Sequence, residues 1–487
     1  MEREKTKKNS IKKNYVFNLI YQITIILLPL IVTPYIARVL TAEGVGIYSF
    51  CFATITYFTI LASLGFENYA QREISVYQND KHQQSKVFFE VFLCRLIPMA
   101  VALVINTVLI LANTYGEYTN LMWILNLNII AIGLDVVFFF QGNEEFVKIV
   151  LRNLIIKIIG TICLFVFIKS QADILLYTLI NSLMIIVSSL SLIPAMKGRL
   201  CKVSFKELQP VKHLKFALKL FIPAVAITLY TVLDKFLIGV ITGSNLENGY
   251  YEQAEKIIKV GMTVVTCLGI VMIPRNSSAI AQGKVDEVKE NVYKAFNFVW
   301  LLGFPIAFGL LSIASNLVPW FLGDGYDKVV YLMYVLSPLV LIIGASNVLG
   351  IQYLLPWKRD GQFTKCIIIG ALTNILFSIV LIYFFESLGA CISTVLAELM
   401  VTISMIVLLR KELSFKKIFK TMWKPFLSAV IMGAVVFALS LYLVPSILNT
   451  FILVFVAIVV YGVCILLFRE SLTLDFFKLI FKRKNCK

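Results

Sequence analysis

Apolar segments long enough to cross a lipid bilayer follow one another along almost the whole chain, and basic residues collect at every second junction between them. A transmembrane helix needs about 20 mostly apolar residues, and residues 15–37, 88–112 and 174–196 each meet that requirement. Lysine and arginine cluster before the first segment, within residues 197–219 and after residue 468. Because cytoplasmic loops carry the excess of basic residues, this pattern predicts a polytopic membrane protein with both termini on the cytoplasmic side.

Fourteen spans explain both the apolar segments and the alternation of charge. The last two come from one uncharged stretch, residues 425–468, which is too long for a single helix and contains the turn signal Pro445-Ser446. The sequence therefore predicts an all-α integral membrane protein, with two pseudo-symmetric six-helix bundles and two additional C-terminal helices. The predicted spans cover residues 15–37, 46–66, 88–112, 119–140, 148–168, 174–196, 216–241, 250–274, 294–318, 329–353, 364–385, 387–409, 424–444 and 449–468.

The long cytoplasmic connection after the sixth span, residues 197–219, marks the predicted boundary between the bundles. We assign residues 1–200 to the first bundle and residues 201–411 to the second. Residues 412–487 supply the two extra spans and a basic cytoplasmic tail. The outer connections are short, so the sequence predicts no domain outside the membrane that would house a soluble active site.

A weak internal repeat supports this division. A Gly-x-Tyr sequence begins at Gly46 after the first span and at Gly249 after the seventh, and Arg72 and Arg275 each lie 26 residues beyond their glycine. All of these matches share an offset of 203 residues. Because six spans separate the copies, the repeat is parallel. Two such halves that meet at a central cavity are a common plan for transporters.

The composition argues against several functional classes. The chain is 59% hydrophobic and only 15% charged, whereas a soluble protein carries about 25% charged residues. The net charge of +17 therefore reflects membrane topology and attraction to anionic lipid, not nucleic-acid binding. The nine cysteines lack a Cys-x-x-Cys spacing, and the only histidines are His82 and His213. We expect no metal site, no cofactor and no catalytic triad.

Ionisable residues inside the predicted spans are the main functional signal. Each costs about 2.5–3.5 kcal/mol at the centre of a membrane helix, and such residues normally face a wet cavity or a partner. Within this set, Glu252 and Lys256 can instead pair along one helix face, and Arg95 and Lys157 can extend towards the helix ends. The charged residues within the spans are Arg95, Asp135, Lys157, Asp234, Lys235 and Glu398, and Glu252, Glu255, Lys256 and Lys259 enter the eighth span.

Prolines interrupt the first span of each predicted bundle. Pro29 and Pro34 lie in span one, and Pro223 lies in span seven. A proline frees a backbone carbonyl, which water, a side chain or an ion must then satisfy. These positions are candidate bending points of a rocking transporter, and a simple packing kink is the alternative.

At these residues the chain resembles a known family. The sequence PYIARVLTAEGVGIYSF at residues 34–50 is similar to the start of Wzx-type oligosaccharide flippases, the polysaccharide transporter branch of the MOP superfamily. The similarity continues through the motifs at 64–74, 133–146, 231–256 and 274–275, and it covers most of the first twelve spans. One departure is Thr41, where the family usually has glycine.

The resemblance implies a MATE-like fold and a task. Such proteins move a polyprenyl-diphosphate-linked oligosaccharide of undecaprenyl type across the bacterial cytoplasmic membrane, for capsule, O-antigen or similar polymers. Cavity cations would then bind the diphosphate, and polar groups would bind sugar hydroxyls or carry the coupling ion. The candidate cations are Arg38, Arg72, Lys235, Lys256 and Arg275. The candidate sugar or coupling contacts are Asp135, Gln141, Asp234, Tyr251, Glu252, Gln352 and Glu398.

The expected protein is therefore not an enzyme but an ion-coupled transporter, driven by H⁺ or Na⁺. Its expected partners are the lipid-linked oligosaccharide, membrane lipids, and the polysaccharide polymerase with its chain-length machinery. A multidrug or cation antiporter of the same superfamily is the nearest alternative, and it would favour an anionic cavity. A membrane polysaccharide polymerase would carry a large outer loop, a sugar-nucleotide transferase an Asp-x-Asp motif, and an ATP-driven pump a Gly-Lys-Ser/Thr sequence; the chain has none of these.

Overall fold

The described part of this chain is helical throughout. The structure, a computed structural model, describes the backbone of residues 2–469 and the side chains of residues 28–469, except 68, 219, 220, 222–224, 226–231, 268, 270 and 271. The basic tail predicted at the C-terminus lies largely outside these residues. The helices are α1 Glu2–Ser63, α2 Phe66–Val76, α3 Lys81–Leu111, α4 Thr119–Leu134, α5 Val137–Gly142, α6 Phe146–Phe167, α7 Ile174–Leu190, α8 Leu214–Thr242, α9 Asn245–Ala281, α10 Val285–Leu322, α11 Asp327–Leu336, α12 Leu339–Leu349, α13 Asp360–Leu409, α14 Phe415–Lys420, α15 Trp423–Ser440 and α16 Ile447–Leu467.

Every predicted span falls on these helices, and the predicted spans 119–140 and 329–353 each extend over two of them. Eleven helical segments within the described residues are long and apolar enough to cross a membrane. Two of them, Leu28–Ser63 and Asp360–Leu409, each contain one break and together carry four predicted spans. The predicted seventh span corresponds to α8. The fold class predicted from sequence, a membrane protein of about 14 transmembrane helices, is therefore confirmed.

The break in α1 lies at Thr41 and not at the prolines. The α1 backbone stays helical through Pro29 and Pro34, and it leaves the helical region only at Thr41, with φ 59° and ψ 176°. Positive φ is strained for a β-branched residue. A transmembrane helix tolerates proline because neighbouring groups satisfy the freed carbonyl. The glycine that the family usually has at this position would adopt this conformation without strain.

The chain divides into two compact units, Met1–Phe236 and Leu237–Lys487. The predicted boundary at residues 200 and 201 concerns the membrane topology and stays a prediction. In the first unit, α1 packs against α3, α4 and α6, and α4 packs against α7. Three apolar clusters fill this unit, and their buried members include Phe66, Val91 and Phe138, then Ile55, Ala102 and Leu125, then Leu40, Leu164 and Ile180.

The second unit is organised around α10, which contacts α9, α11, α12, α15 and α16. The two helices predicted as an addition, α15 and α16, pack against it. The Ser312 hydroxyl donates to the Gly433 carbonyl at 3.1 Å, and the Trp320 indole donates to the Thr450 hydroxyl at 2.6 Å. Since few other polar groups lie on these helices, such bonds fix their rotation against α10.

The proposed repeat stays a prediction, and two pairs of helix boundaries agree with it. The helix α3 begins at Lys81 and α10 begins at Val285, so their starts are related by nearly the same offset as the sequence matches. A sharp backbone break also precedes each second span, at Thr41 in α1 and at Gly243, with φ 63°, between α8 and α9. The two predicted bundles thus begin with a similar order of helices.

Candidate transport site

The fourth span is interrupted in the first unit. The helix α4 ends at Leu134, Asp135 adopts an extended backbone with φ −69° and ψ 127°, and α5 begins at Val137. One carboxylate oxygen of Asp135 accepts a hydrogen bond from the Val137 amide at 2.9 Å. Asp135 therefore satisfies an amide that the broken helix leaves without its usual carbonyl partner.

Arg95 of α3 holds the other side of this break. Its two terminal guanidinium nitrogens donate to the carbonyls of Asp135 at 2.7 Å and of Ile132 at 2.6 Å. The guanidinium also lies 5.2 Å from the centre of the Phe138 ring. Arg95 is only 4% exposed, so it does not extend towards the membrane surface. It places a positive charge at the negative end of α4, and interrupted helices of this kind form binding sites in transporters.

The candidate cations of the first unit occupy different elements. Arg38 lies in α1 three residues before the break at Thr41, and Arg72 lies in α2; both side chains are exposed. Lys235 lies near the end of α8 and is partly buried. Their common role in binding phosphate stays a prediction.

Two candidate polar contacts of the first unit are buried or nearly so. Asp234, next to Lys235 on α8, is 3% exposed. Gln141 lies on α5, directly after the helix break, and its buried side-chain oxygen has no hydrogen-bond partner among the described residues. A buried polar atom without a partner usually meets water, an ion or a ligand.

In the second unit, the candidates on α9 form pairs along their own helix. Lys256 lies 2.9 Å from the Glu252 carboxylate, as the sequence spacing allowed, and Lys259 pairs with Glu255 at 2.7 Å. The buried hydroxyl of Tyr251 lies 3.1 Å from the hydroxyl of Thr394 on α13. Tyr251 therefore connects the start of α9 to α13, and pairing with Glu252 already compensates part of the Lys256 charge.

Two further candidates of the second unit are Arg275 and Glu398. Arg275, near the end of α9, is exposed and lies 4.0 Å from Glu287. Glu398 is partly buried in the second half of α13. Their roles in transport stay predictions.

Gln352 lies in a π-helical turn, Gly350–Leu354, that follows α12. Its side-chain NH2 group donates to the Asn347 side-chain oxygen at 3.2 Å, and its backbone carbonyl accepts from the Asn276 side chain at 2.7 Å. Asn291 in turn donates to Asn276 at 3.0 Å. The side-chain oxygen of Gln352, which is 2% exposed, has no hydrogen-bond partner among the described residues. Such π-turns often mark functional positions in helices.

Sequence reasoning did not select Glu90, which is fully buried in α3. Its carboxylate accepts from the ammonium of Lys212 at 2.8 Å and from the Gln209 backbone amide at 2.9 Å. Glu90 lies close to the predicted cytoplasmic start of span three, where a carboxylate is unremarkable. The seven basic residues of the connection 197–219 could have indicated that an acidic residue elsewhere pairs with one of them.

A charged cluster on the second unit joins three helices. The Lys328 ammonium lies 2.8 and 2.7 Å from the two carboxylate oxygens of Glu247, and 2.7 Å from Glu386. The Ser387 hydroxyl donates to Glu247 at 2.5 Å. Glu386 has φ 53° at the break in α13. The cluster thus fixes the sharp turn between the eleventh and twelfth spans to α9 and α11.

The loop between α5 and α6 carries an ionised carboxylate. Glu145 bonds to the Arg199 guanidinium and pairs with Lys148 at 2.7 Å. Burial by itself raises the pKa of the Glu145 carboxyl, but the interactions with Arg199 and Lys148 outweigh it, and its pKa lies below the ordinary value. This carboxylate anchors the linker after α7 to the start of α6.

Comparison with known proteins places the chain among membrane transporters. The sequence profile of the family described as polysaccharide biosynthesis protein matches residues 11–280. A protein named as an O-antigen transporter in Escherichia coli (strain K12) is 26% identical over 410 residues, which are 84% of this chain and 98% of that protein. A protein named as a flippase of low-salt glycan biosynthesis in Haloferax volcanii is 22% identical over 242 residues, 49% of this chain and 51% of that protein.

Solved structures agree on the fold. The lipid II flippase MurJ, in an inward closed conformation, matches with a TM-score of 0.71 at 15% identity, over 94% of this chain and 99% of MurJ. An inward-facing multidrug resistance MATE family transporter of the MOP superfamily matches with a TM-score of 0.62 at 12% identity, over 83% of this chain and 99% of its own. Because the family profile covers more than half of the sequence, this chain belongs to the polysaccharide biosynthesis protein family, and its fold is that of the MOP-superfamily transporters.

Proposed function

We propose that this chain is a flippase that carries a lipid-linked oligosaccharide from the cytoplasmic to the outer leaflet of a bacterial cytoplasmic membrane. The observation that carries the proposal is the similarity to a protein named as an O-antigen transporter, 98% of whose length this chain matches. The family match and the intramembrane cations support it. The cargo of such a protein has a polar head that cannot cross hydrocarbon unaided and a lipid tail that can remain in the bilayer.

The finer chemistry of the cargo is also a proposal. A polyprenyl diphosphate of undecaprenyl type supplies two phosphates, and phosphate oxygens form strong charge-assisted bonds with guanidinium and ammonium groups. Arg38, Arg72 and Lys235 are the candidate cations of the first unit, and Lys256 and Arg275 those of the second. Arg275 is exposed and only weakly paired, which supports its inclusion more than that of Lys256.

Directional transport requires an energy source, and we propose an ion gradient. The chain has no Gly-Lys-Ser/Thr sequence for nucleotide binding. Alternating access of two units, with H⁺ or Na⁺ bound at a carboxylate such as Asp234 or Glu398, would then drive the cargo outwards. Polysaccharide polymerase and chain-length proteins would take the product, and both termini would lie in the cytoplasm.

A reconstituted flipping assay tests this function. Purified protein in liposomes should transfer a fluorescent polyprenyl-diphosphate oligosaccharide between leaflets faster than empty liposomes do, and an imposed pH or sodium gradient should change the rate. Deletion in the native host should leave the complete repeat unit on its lipid carrier at the cytoplasmic face. Transfer no faster than in empty liposomes, or a host without accumulated intermediate, would remove the flippase assignment.

Antiport of cations is the second candidate, because MATE transporters share the fold. The fold alone does not distinguish the two, so the assay must. A cation antiporter would exchange an organic cation such as ethidium for H⁺ or Na⁺ and leave lipid-linked oligosaccharide in place. Arg38→Ala and Lys235→Ala separate the two readings further, since removal of a positive charge should impair a flippase of diphosphate lipids and not a carrier of cations.

A further inference from the structure

Lys157 places an ammonium group at the centre of α6, and no described side chain compensates its charge. It is the twelfth of the 22 residues of Phe146–Phe167, so about 15 Å of helix separates it from either end at 1.5 Å per residue. Among the side chains that the structure describes, it has no hydrogen-bond or ion-pair partner. The four methylenes of a lysine are too short to carry its ammonium to either end of this helix.

Lys157 lies on the side of α6 that carries its buried residues. Leu164 and Ile168 follow it by 7 and 11 residues, two and three helical turns, and both belong to the buried cluster that joins α6 to α1 and α7. Ile155 and Ile162 lie on the opposite side of α6 and are 48% and 56% exposed, as lipid-facing residues are. Lys157 is nevertheless exposed. A charged side chain that stays exposed on this side of a membrane helix is expected to meet water or an anion there.

The neighbouring basic residues of α6 are already engaged. Lys148 pairs with Glu145 at 2.7 Å. The Arg152 guanidinium donates to the Ser188 carbonyl at 2.5 Å and to the Asn153 side chain at 2.7 Å. Lys157, one and a half turns further along, is therefore the basic group of this helix that no described side chain engages.

We propose that Lys157 is a binding residue for a phosphate of the lipid-linked cargo, within the first unit. The inference rests on the proposed function and adds a site that the sequence motifs do not include. An ammonium has three donors and no acceptor, which suits the oxygens of a diphosphate. An unpaired charge deep in a span is costly and marks substrate or ion pathways. An anion that arrives with the cargo and leaves with it accounts for a cation that has no fixed partner among the described side chains.

Chemical rescue in the full-length protein tests the charge. In a variant whose nine cysteines are replaced, Lys157→Cys should lower the initial flipping rate of a fluorescent undecaprenyl-diphosphate oligosaccharide about tenfold or more, the factor for a lost bond to a charged group. Aminoethyl methanethiosulfonate, which restores an ammonium on a side chain of similar length, should return most of the rate. Methyl methanethiosulfonate, which adds a neutral group, should not. Equal rates before and after both reagents, or no labelling of the thiol, would overturn the proposal.

Lys148→Met is the matched control on the same helix, since Lys148 is already paired with Glu145, and it should flip cargo at close to the parental rate. Lys157→Arg keeps the positive charge, so it should retain most of the flipping activity. This variant controls for loss of activity through misfolding. If wild-type protein flips cargo and Lys157→Met flips it equally fast, the inference fails alone. If wild-type protein moves no lipid-linked oligosaccharide, the proposed function itself fails.

A protection experiment identifies the source of the phosphate. Thr161 lies one turn beyond Lys157 on the same side of α6 and is partly buried, so Thr161→Cys reports on the site with Lys157 intact. In phosphatidylcholine nanodiscs, undecaprenyl diphosphate should slow the labelling of this thiol by a maleimide severalfold, and it should do so less when Lys157→Met is added. Equal protection by phosphatidylglycerol would assign the site to membrane headgroups, and no protection by either lipid would remove the phosphate site.

Discussion

The Nε2 atom of His213 lies 2.8 Å from a carboxylate oxygen of Glu90, and both side chains are almost completely buried. The Tyr69 hydroxyl lies 2.6 Å from Nδ1 of the same imidazole. With the bonds from Lys212 and Gln209, Glu90 therefore contacts three groups at the end of the connection 197–219, and His213 extends this network to Tyr69 of α2. This carboxylate fastens the connection before α8 to α3 of the first unit.

Glu90→Gln should loosen this connection. The amide keeps the shape of the side chain but loses the charge that binds the Lys212 ammonium. Because Lys212 is half exposed and water can solvate it, we expect a cost of about 1–3 kcal/mol. We expect a lower Tm and faster tryptic cleavage at Lys202 and Lys206. Glu207→Gln, at an exposed residue 3.9 Å from His82, is the control and should change neither. Cleavage of Glu90→Gln at the wild-type rate would contradict a fastening role.

Arg95→Met should destabilise the first unit more than any exposed arginine does. The substitution removes this donor from the Asp135 carbonyl and leaves the Ile132 carbonyl with the long bond from the Asp135 amide at 3.5 Å, at a cost of about 1–3 kcal/mol. Arg95→Lys should recover only part of this, because one ammonium does not reproduce the planar fork that reaches both carbonyls. Thermal unfolding in detergent is the measurement, and Arg72→Met on the exposed side of α2 is the control. An unchanged Tm for Arg95→Met would show that the hydrogen bonds from Arg95 do not stabilise the helix break.

Thr41→Gly should stabilise the protein by about 1 kcal/mol. A non-glycine residue in a sparsely populated region costs about 1–3 kcal/mol, and Thr41 has φ 59°. The glycine offsets part of the gain through a more flexible unfolded chain, at about 0.5–1 kcal/mol. Thr41→Ala is the control, since alanine meets the same backbone restriction without the branched side chain, and it should gain less. A Tm of Thr41→Gly below that of Thr41→Ala would argue against strain at this break.

The stability of the α5–α6 loop should fall in acid. The pKa of Glu145 is lower in the folded protein than in the unfolded chain, whose reference value is about 4.3. The contribution is complete above that value, and it is lost as the pH falls through it towards the folded pKa. We expect Glu145→Gln to have a lower Tm than wild type at pH 7 and a smaller difference at pH 3.5. A difference that stays constant across this range would show that charge at Glu145 contributes little.

Neutral variants of two buried or half-buried carboxylates test the coupling. Asp234→Asn and Glu398→Gln should still bind cargo, but their flipping rate should no longer respond to an imposed pH or sodium gradient. An amide side chain neither takes up a proton nor carries the negative charge that binds Na⁺. Flipping in proteoliposomes with and without the gradient is the measurement. An unchanged gradient dependence in both variants would place the coupling elsewhere, and loss of the folded protein would favour a structural pairing role.

Several site residues could be named from sequence because charge inside an apolar segment is a local signal. Asp135, Asp234 and Glu398 stand out against apolar neighbours without knowledge of the fold. The contacts of these residues could not be predicted from the sequence in the same way. The backbone at the Asp135 break is bonded to Arg95, which is 40 residues away in sequence. No residue near Asp135 indicates that contact. The prolines of α1 were the stronger local signal, yet the backbone break lies at Thr41.

The sequence by itself determined the membrane location, the number of spans and the family. Each of these depends on sums over about 20 neighbouring residues or on short motifs, so the rest of the fold does not change them. Only the tertiary structure decided which charges are neutralised. Glu90 meets His213 across 123 residues of sequence, whereas Lys157 meets no fixed partner among the described side chains. Pairing depends on the rotation and depth of each helix against its neighbours, and packing over the whole unit sets both.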